Sequence, residues 1–320
     1  MNILITGIHG FVGGNLLTAF KNHHTIYGLD IISPQKEGIE CTYSWNELKD
    51  VQPIDCIIHL AGKAHDTEST SSAQSYFDIN VGLTQKIFDW FLRSNAKKFV
   101  FFSSVKAVAD SGKEEILTED AEPKPGTAYG RSKLAAERYI LHELERWTGG
   151  TSQTTKGKQV YLFRPCMIHG LGNKGNLNLL YKIVSKGIPW PLGAYENRRS
   201  MLSVDNLAYI IQNLIEKDIA PGTYHLADDQ PISTNEIIRL MAESMQRKAH
   251  IINVPKAIIN PLARSGDLLH LPLNSERLKK LTESYEVSNE KIKKALGVSE
   301  LPIKAHEGLL KTFKSFYSNE

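Results

Sequence analysis

Cysteine is scarce and odd in number: Cys41, Cys56 and Cys166 are the only three in 320 residues. Their spacing fits neither a disulfide framework nor a zinc site, so no metal centre is expected. Cys56 lies in a strand pattern and reads as core. Such usage suits a reducing cytoplasm, the expected location. Long apolar runs are absent too. None approaches the ~18 residues of a membrane span. The first strand pattern starts at residue 2, which leaves no room for a signal peptide. Blocks of one charge are missing: 38 Lys and Arg stand against 35 Asp and Glu, a net charge of +3. Composition therefore gives no case for nucleic acid or a membrane surface as partner. The Lys-rich stretch Lys279-Lys280, Lys291 and Lys293-Lys294 reads as a solvated helix face. Repeats and low-complexity tracts are absent. What remains is an ordinary globular composition, long enough for one large or two modest domains.

The chain opens on Met1-Asn-Ile-Leu-Ile-Thr6, an apolar strand pattern, and runs into Gly7-Ile-His-Gly10-Phe-Val-Gly13. Val12, Leu16, Ala19 and Phe20 then recur at helical spacing. In a strand–turn–helix unit Gly7 allows the tight turn, Gly10 admits a pyrophosphate to the backbone, and Gly13 lets helix and strand pack closely. The helix N-terminus offers free N–H groups to the anion. A second strand pattern ends in Asp30, where a carboxylate accepts ribose hydroxyls.

Strand patterns at 55–61, 98–103 and 160–165 alternate with helical patterns at 73–94 and 127–147, and a short strand is expected near 39–43. The alternation predicts an α/β fold of Rossmann type, a doubly wound parallel sheet with a smaller, mixed α/β substrate-binding domain. The nucleotide-binding domain is expected over 1–165 and 200–228, the smaller one over 166–199 and 229–320. Residues 105–126 read as a long polar loop, of the kind that is usually functional, and 149–157 as a surface loop. The stretch 170–193, rich in Gly, Asn and Pro, reads as irregular. Helices are expected at 204–217, 234–245, 288–296 and 304–317, and strands at 222–227 and 251–254.

Tyr129-Gly-Arg-Ser-Lys133 puts a tyrosine and a lysine at i and i+4 on one helix face. A phenol titrates near about 10, so it is a poor base until a neighbouring ammonium stabilises the phenolate. With that help it exchanges a proton with a carbinol. Ser103-Ser104 ends the preceding strand, where open α/β sheets bind ligands. Ser103 reads as a strand-end cap, Ser104 as the residue that orients the reacting hydroxyl.

Taken together, the glycine motif from Thr6 to Gly13, His59-Leu-Ala-Gly62, Ser104 and the Tyr129/Lys133 pair resemble an extended short-chain dehydrogenase/reductase. The branch is the NAD-dependent nucleotide-sugar epimerase/dehydratase family, and the resemblance spans nearly the whole chain. It implies NAD lodged along Gly7, Gly10, Phe11, Val12 and Gly13, with Asp30 on the ribose. It implies further cofactor contacts from Leu60, Ala61, Gly62, Lys63 and Asn80, and from Tyr129 and Lys133. Arg164 to Gly170 and Gly172-Asn-Lys-Gly-Asn176 resemble a stretch near the nucleotide-sugar site. Asn197 to Asn206 resembles the stretch whose arginine grips a nucleotide diphosphate, and Arg199 is the matching position. Ser104, Lys106, Lys174, Asn176 and Arg199 are thus the expected substrate-binding residues. Lys174 and Arg198 read equally well as solvated charges.

The chain departs from the family with Ala107-Val108-Ala109 in place of Val-Tyr-Gly, and with His169 where Tyr is common. Ser103-Ser-Val-Lys106 resembles a subgroup named as UDP-glucose 4-epimerases or as reductases of 4-keto-N-acetylhexosamines. Family dehydratases carry Asp-Glu directly after the active-site hydroxyl, whereas Val105 and Lys106 stand there here, so dehydration is not expected. The resemblance points to an NAD-dependent 4-epimerase of a UDP-hexose or UDP-N-acetylhexosamine. The alternatives are an NAD(P)H-dependent 4-keto reductase of a UDP-4-keto-6-deoxy-N-acetylhexosamine and, in another class, a non-catalytic NAD sensor. The family also implies a homodimer through the helices at 73–94 and 127–147, with Phe77 and Phe91 serving core and interface together.

Overall fold

Alternate side chains of a buried strand point to opposite faces of its sheet, and here both faces are apolar. In β1 (Asn2–Thr6) Ile3 and Ile5 face one hydrophobic cluster and Leu4 the other. The computed structural model of the protein describes residues 1–64, 72–112, 115–149, 157–173, 175–269 and 274–317. Lys174, most of the loop at 149–157 and the end of the loop after Gly62 lie outside these residues.

From β1 the chain enters α1 (Phe11–Phe20) and returns through β2 (Thr25–Leu29), β3 (Cys41–Tyr43) and β4 (Cys56–His59). Next come α2 (Ala73–Arg93), β5 (Lys98–Phe102), α3 (Ala128–Thr148) and β6 (Gln159–Pro165). Then follow β7 (Met167–His169), α4 (Asn176–Ser185), β8 (Met201–Ser203), α5 (Val204–Glu216) and β9 (Gly222–Leu226). The chain closes with α6 (Thr234–Ser244), α7 (Lys256–Leu269), α8 (Ser275–Thr282), α9 (Glu290–Leu296) and α10 (Ala305–Tyr317).

Seven strands form one parallel sheet in the order β3-β2-β1-β4-β5-β6-β9. Helices α1, α5 and α9 cover one face, with Leu16, Ile210 and Ile292 in the core. Helices α2 and α3 cover the other, through Ile87, Phe88, Phe91 and Ile140. The expected Rossmann-type architecture is therefore present. Because strand order reverses between β1 and β4, a crevice opens at their carboxyl ends.

The opposite end of the sheet is closed by two lysines. Lys158 Nζ donates to the carbonyls of Phe91, Ser94 and Ala96 at 2.8, 2.9 and 2.9 Å, where α2 ends. Lys98 Nζ does the same for Leu214, Ile215 and Lys217 at 2.6, 3.1 and 3.2 Å, where α5 ends. A cation there satisfies orphan carbonyls and suits the negative end of the helix dipole.

A third cluster joins α4, α6, α7, α8 and α10 through Tyr181, Trp190, Ile237, Ile259, Leu278 and Phe313. Beside it β7 and β8 form a small parallel sheet. The region read as irregular thus contains α4, and α7 and α8 are helices that periodicity did not reveal. The expected strand at 251–254 is reduced to isolated bridges from Ile251 to Trp190 and from Asn253 to Leu192. Lys293 is no solvated charge: it is buried, 3.2 Å from Asp229 and 2.7 Å from Glu290.

Candidate active site

Thr6 ends β1 at the crevice, and Gly7 turns there at φ +71, a conformation suited to glycine. A Cβ on Gly13 would lie 2.5 Å from the Gly7 carbonyl oxygen and 2.7 Å from Ile8 Cα. The turn therefore closes only with glycine at that position. It leaves the first turn of α1, with Phe11 and Val12, open to an anion. Asp30 follows β2 at the same edge, and its carboxylate accepts from the backbone N–H of His9 at 3.1 Å and of Ile31 at 2.7 Å. Lys36, the nearest following cation, lies with its ammonium against Gly14 of α1.

A chain of hydrogen bonds runs from this turn to the Tyr/Lys helix. His59 Nδ1 lies 2.7 Å from Thr6 Oγ1, and its Nε2 lies 3.0 Å from Thr84 Oγ1. Burial, reinforced by the nearby Lys133, lowers the imidazole to about 3, so it is neutral at working pH. Thr84 spends its own proton on the Asn80 carbonyl at 2.6 Å. It therefore accepts from His59 Nε2–H, which leaves Nδ1 to accept from Thr6 and fixes the tautomer. Thr6 Oγ1 in turn accepts from the Ala61 N–H at 2.9 Å, beside Leu60. Asn80 Oδ1 accepts from the Lys63 N–H at 2.7 Å, just after Gly62. Asn80 Nδ2 donates to Ser132 Oγ at 2.9 Å, and Ser132 donates to the Tyr129 carbonyl at 2.8 Å. Thr6, Thr84 and Ser132 were not singled out from sequence. Their signal is polar side chains at buried positions, visible only once burial is known.

Ser104 sits where β5 ends, and its hydroxyl accepts from the Lys106 N–H at 3.2 Å, capping a 3-10 turn at Val105–Ala107. The capping role assigned to Ser103 thus falls to Ser104. The buried Ser103 hydroxyl has no hydrogen-bond partner among the described residues. Thr127 caps α3 through Gly130 N at 3.1 Å. A Cβ on Gly130 would stand 2.3 Å from the Lys106 carbonyl oxygen. Only glycine after Tyr129 lets α3 press this close to the turn behind Ser104. Asp110 ties the two together: its carboxylate accepts from Gly126 N, from Thr127 N at 2.9 Å and from Thr127 Oγ1 at 2.5 Å.

Ser104, Tyr129 and Lys133 are thereby brought to one place. Tyr129 is half-buried, edge-on to Tyr76 with ring centroids 6.1 Å apart. Burial raises its pKa and a hydrogen bond from Ser104 works against that rise. Lys133 is buried, and its ammonium donates to the Phe102 carbonyl at 2.9 Å. Burial lowers it to about 8, with Glu137, one turn further along α3, pulling the other way. Glu137 is itself bound to Arg164 of β6 by a two-pronged pair at 2.9 and 2.6 Å.

Lys106 follows Ser104 by two residues, and Arg199 stands near enough to act on its charge. The Lys106 ammonium donates to the Asp110 carbonyl and lies 4.6 Å from the centre of the Tyr285 ring. Burial lowers its pKa, as does the positive Arg199, while Asp110 opposes them. Arg199, half-buried, donates to the Lys280 carbonyl at the end of α8. Arg198 is a surface charge paired with Glu286 at 2.8 Å. Asn176 opens α4 with its side chain exposed. His169 is buried, 2.9 Å from Thr312 of α10 and 3.5 Å from Asp228, and so fastens α10 to β7.

A parallel sheet with a glycine turn at its switch point, an acid after β2, and a Ser/Tyr/Lys cluster at the strand ends defines a dinucleotide-dependent enzyme of the short-chain dehydrogenase/reductase type. The chain belongs to the NAD dependent epimerase/dehydratase family, whose pattern matches residues 3–227. It is 27% identical over 271 residues to a UDP-glucose 4-epimerase of Vibrio cholerae, covering 79% of each chain. It is 27% identical over 304 residues to the N-acetyl-alpha-D-glucosaminyl-diphospho-ditrans,octacis-undecaprenol 4-epimerase of Escherichia coli O157:H7, covering 92% of this chain and 85% of that one. Its fold matches MoeE5 in complex with UDP-glucuronic acid and NAD, with a TM-score of 0.76 and 20% identity over 100% of both chains. The cofactor is NAD, and the residues fit it: a side chain at Gly13 would run into the Gly7 carbonyl, and Asp30 offers a carboxylate at the same edge.

Proposed function

We propose that the enzyme interconverts the C4 epimers of a UDP-linked hexose or N-acetylhexosamine. The observation that carries this reading is the meeting of Ser104, Tyr129 and Lys133 with no acid/base pair behind Ser104. NAD, when bound, supplies the acceptor and donor of hydride. Ser104 orients the C4 hydroxyl, and Tyr129 takes its proton and later returns one. Lys133 holds the nicotinamide ribose, and its charge, together with the oxidised nicotinamide, would stabilise the phenolate. Arg199 takes the diphosphate, since a guanidinium meets phosphate oxygens in pairs. Lys106 and Asn176 meet the sugar and its neighbouring oxygens. Both relatives act, by their names, on sugars carried on a diphosphate, one on uridine and one on a polyprenol, and Arg199 addresses the part common to both.

Dehydration does not fit this site. It needs a proton taken from C5 and another given to the leaving C6 hydroxyl. Burial lowers the Lys106 pKa, so that lysine could serve as a base, but Val105 transfers no proton and the acid/base pair stays incomplete. The second reading, a 4-keto reductase, rests on the Ser103–Lys106 stretch that epimerases and reductases share. Incubation with UDP-glucose, UDP-N-acetylglucosamine and their 4-keto-6-deoxy forms, with and without NADH, separates the two. We expect C4 epimers without added cofactor and no 4-keto-6-deoxy product. Consumption of NADH on a 4-keto sugar, with no epimerisation, would favour the reductase, and a 4-keto-6-deoxy product from an unmodified sugar would sink the exclusion of dehydration.

In this reading residues 1–165 and 200–228 hold the cofactor, and 166–199 and 229–320 form the substrate side. The enzyme works as a homodimer through α2 and α3.

A further inference from the structure

Helix α7 turns an apolar face to solvent. On its inner side Ile259 and Ala263 are buried, 3% and 1% exposed, in the cluster shared with α8. On its outer side Ile258 and Leu262, one turn apart, are 58% and 52% exposed, and Leu268 is 80% exposed. Ala257 and Pro261 are exposed alongside them. Ile252, just before the helix, is 49% exposed. Scattered surface apolar groups need no explanation, but this many on one flank of a 14-residue helix do. The charges on the helix itself lean positive. On α7 itself stand Lys256 and Arg264, both exposed, against the single carboxylate of Asp267. That carboxylate is engaged by the Ser275 N–H at 2.9 Å and hydroxyl at 2.5 Å. An apolar face flanked by cations is what an interfacial helix presents to anionic headgroups.

We propose that the outer face of α7 docks the enzyme on an anionic lipid bilayer. Its place in the fold gives the docking a purpose, on the reading that Arg199 takes the diphosphate of the substrate. The Arg199 guanidinium is held by the Lys280 carbonyl of α8, and Asn197 is held by the Leu281 and Glu283 carbonyls at 3.3 Å each. Helix α8 packs on α7. The α7–α8 pair therefore stands behind Arg199 and Asn197, at the diphosphate end in that reading. A bilayer against α7 would lie next to whatever carrier the diphosphate bears, with the sugar end kept inside the protein. Two cations beside anionic lipid and two or three inserted aliphatic side chains give reversible attachment.

The test is flotation of the full-length protein with vesicles of phosphatidylcholine alone and with phosphatidylglycerol added, at low and physiological salt. The expected result is binding to the anionic vesicles only, weakened by salt. It should fall at least about fivefold in both Ile258→Ser/Leu262→Ser and Lys256→Glu/Arg264→Glu. Melting temperature and turnover of soluble UDP-sugars should not change in either variant. Failure of the wild type to float with anionic vesicles overturns the proposal, as does undiminished binding by both variants. So does a wild-type self-association that the apolar double variant abolishes, which would make the face a contact between copies. Absence of UDP-sugar turnover alongside intact vesicle binding would count against the functional reading and leave the docking standing.

Discussion

In the proposed reaction Tyr129 is the residue on which the chemistry turns, and its environment states its need. Burial, with the neighbouring Tyr76, holds the phenol above its ordinary value, and the hydrogen bond from Ser104 opposes this. Tyr129→Phe removes the hydroxyl but keeps the ring against Tyr76. Bound NAD and the melting temperature should survive, while turnover falls by roughly 10² to 10⁴. Near-normal turnover would mean that another group moves the proton. Lys133 makes a second prediction, with a sign that can be worked out. Its ammonium, near 10.5 in an unfolded chain, titrates at about 8 in the fold. Below pH 8 the lysine is charged in both states, and the fold bears the full cost, about 3 kcal/mol for a shift of that size. Between about 8 and 10.5 the unfolded chain binds more protons, so stability rises with pH. Lys133→Met should abolish turnover yet stabilise the cofactor-stripped protein at pH 7. Glu137 loses little by it, because Arg164 already engages both its oxygens. The gain should shrink as pH passes 8. Denaturant titration at pH 7 and 10 measures it, and a pH-independent difference would refute the burial argument.

At the scale of elements, α3 is the hinge between chemistry and scaffold, and the Glu137–Arg164 pair fastens it to β6. Both partners are largely buried, at 2% and 9% side-chain exposure. Glu137→Gln would leave the guanidinium without its counter-charge, at a cost of about 3–5 kcal/mol. A drop of less than ~1 kcal/mol in urea unfolding would show that the pair is dispensable. The long elements were legible in the sequence because their pattern is redundant. The helix expected at 73–94 runs Ala73–Arg93, and the one expected at 127–147 runs Ala128–Thr148. The missed elements each hid behind a breaker or were too short for periodicity. Strands β7 and β8 have three residues each. Helix α4 follows Gly175 at φ +155 inside a Gly/Asn/Pro-rich stretch. Helix α7 carries Pro261 in its interior, a residue that normally argues against a helix. Missing α7 also hid its outer face. A search for charge runs finds nothing where Lys256 and Arg264 stand eight positions apart, and only the folded helix sets them beside one apolar flank. The site itself was half visible. Glycines, Asp30, Ser104, Tyr129 and Lys133 announce themselves by spacing. In the supporting polar chain His59 and Asn80 were legible through the family resemblance, but the links from Thr6 to His59, His59 to Thr84 and Asn80 to Ser132 join residues 25 to 53 positions apart, which no local pattern encodes.

For the whole molecule the sheet explains why one turn, one acid and one helix from distant parts of the sequence meet at a single edge. It also decides what its outer surfaces must do. Helices α2 and α3 lie side by side over one face, joined by the Tyr139 hydroxyl donating to Asp89 at 2.6 Å. Their inner sides are spent on the core. Phe91, expected to serve core and interface together, is fully buried and available only to the core. Phe77 is half-buried. What the pair leaves outside includes Ile79 of α2 at 37% exposure and Leu141 of α3 at 41%. Under the proposed homodimer, α2 and α3 of two copies form a four-helix bundle and these two side chains go into its seam. An isologous contact of that kind repeats every substitution twice. Ile79→Arg and Leu141→Arg each place two unpaired charges in the seam per dimer. An unpaired buried charge costs several kcal/mol, and ~1.4 kcal/mol is already tenfold in the dissociation constant. Each variant should therefore weaken the dimer by at least about tenfold, and the double variant should sediment as a monomer at micromolar concentration. NAD should still bind, because the glycine turn and Asp30 lie within one subunit. A wild-type protein that sediments only as a monomer at that concentration would remove the dimer, and an arginine double variant that remains dimeric would move the interface to another face.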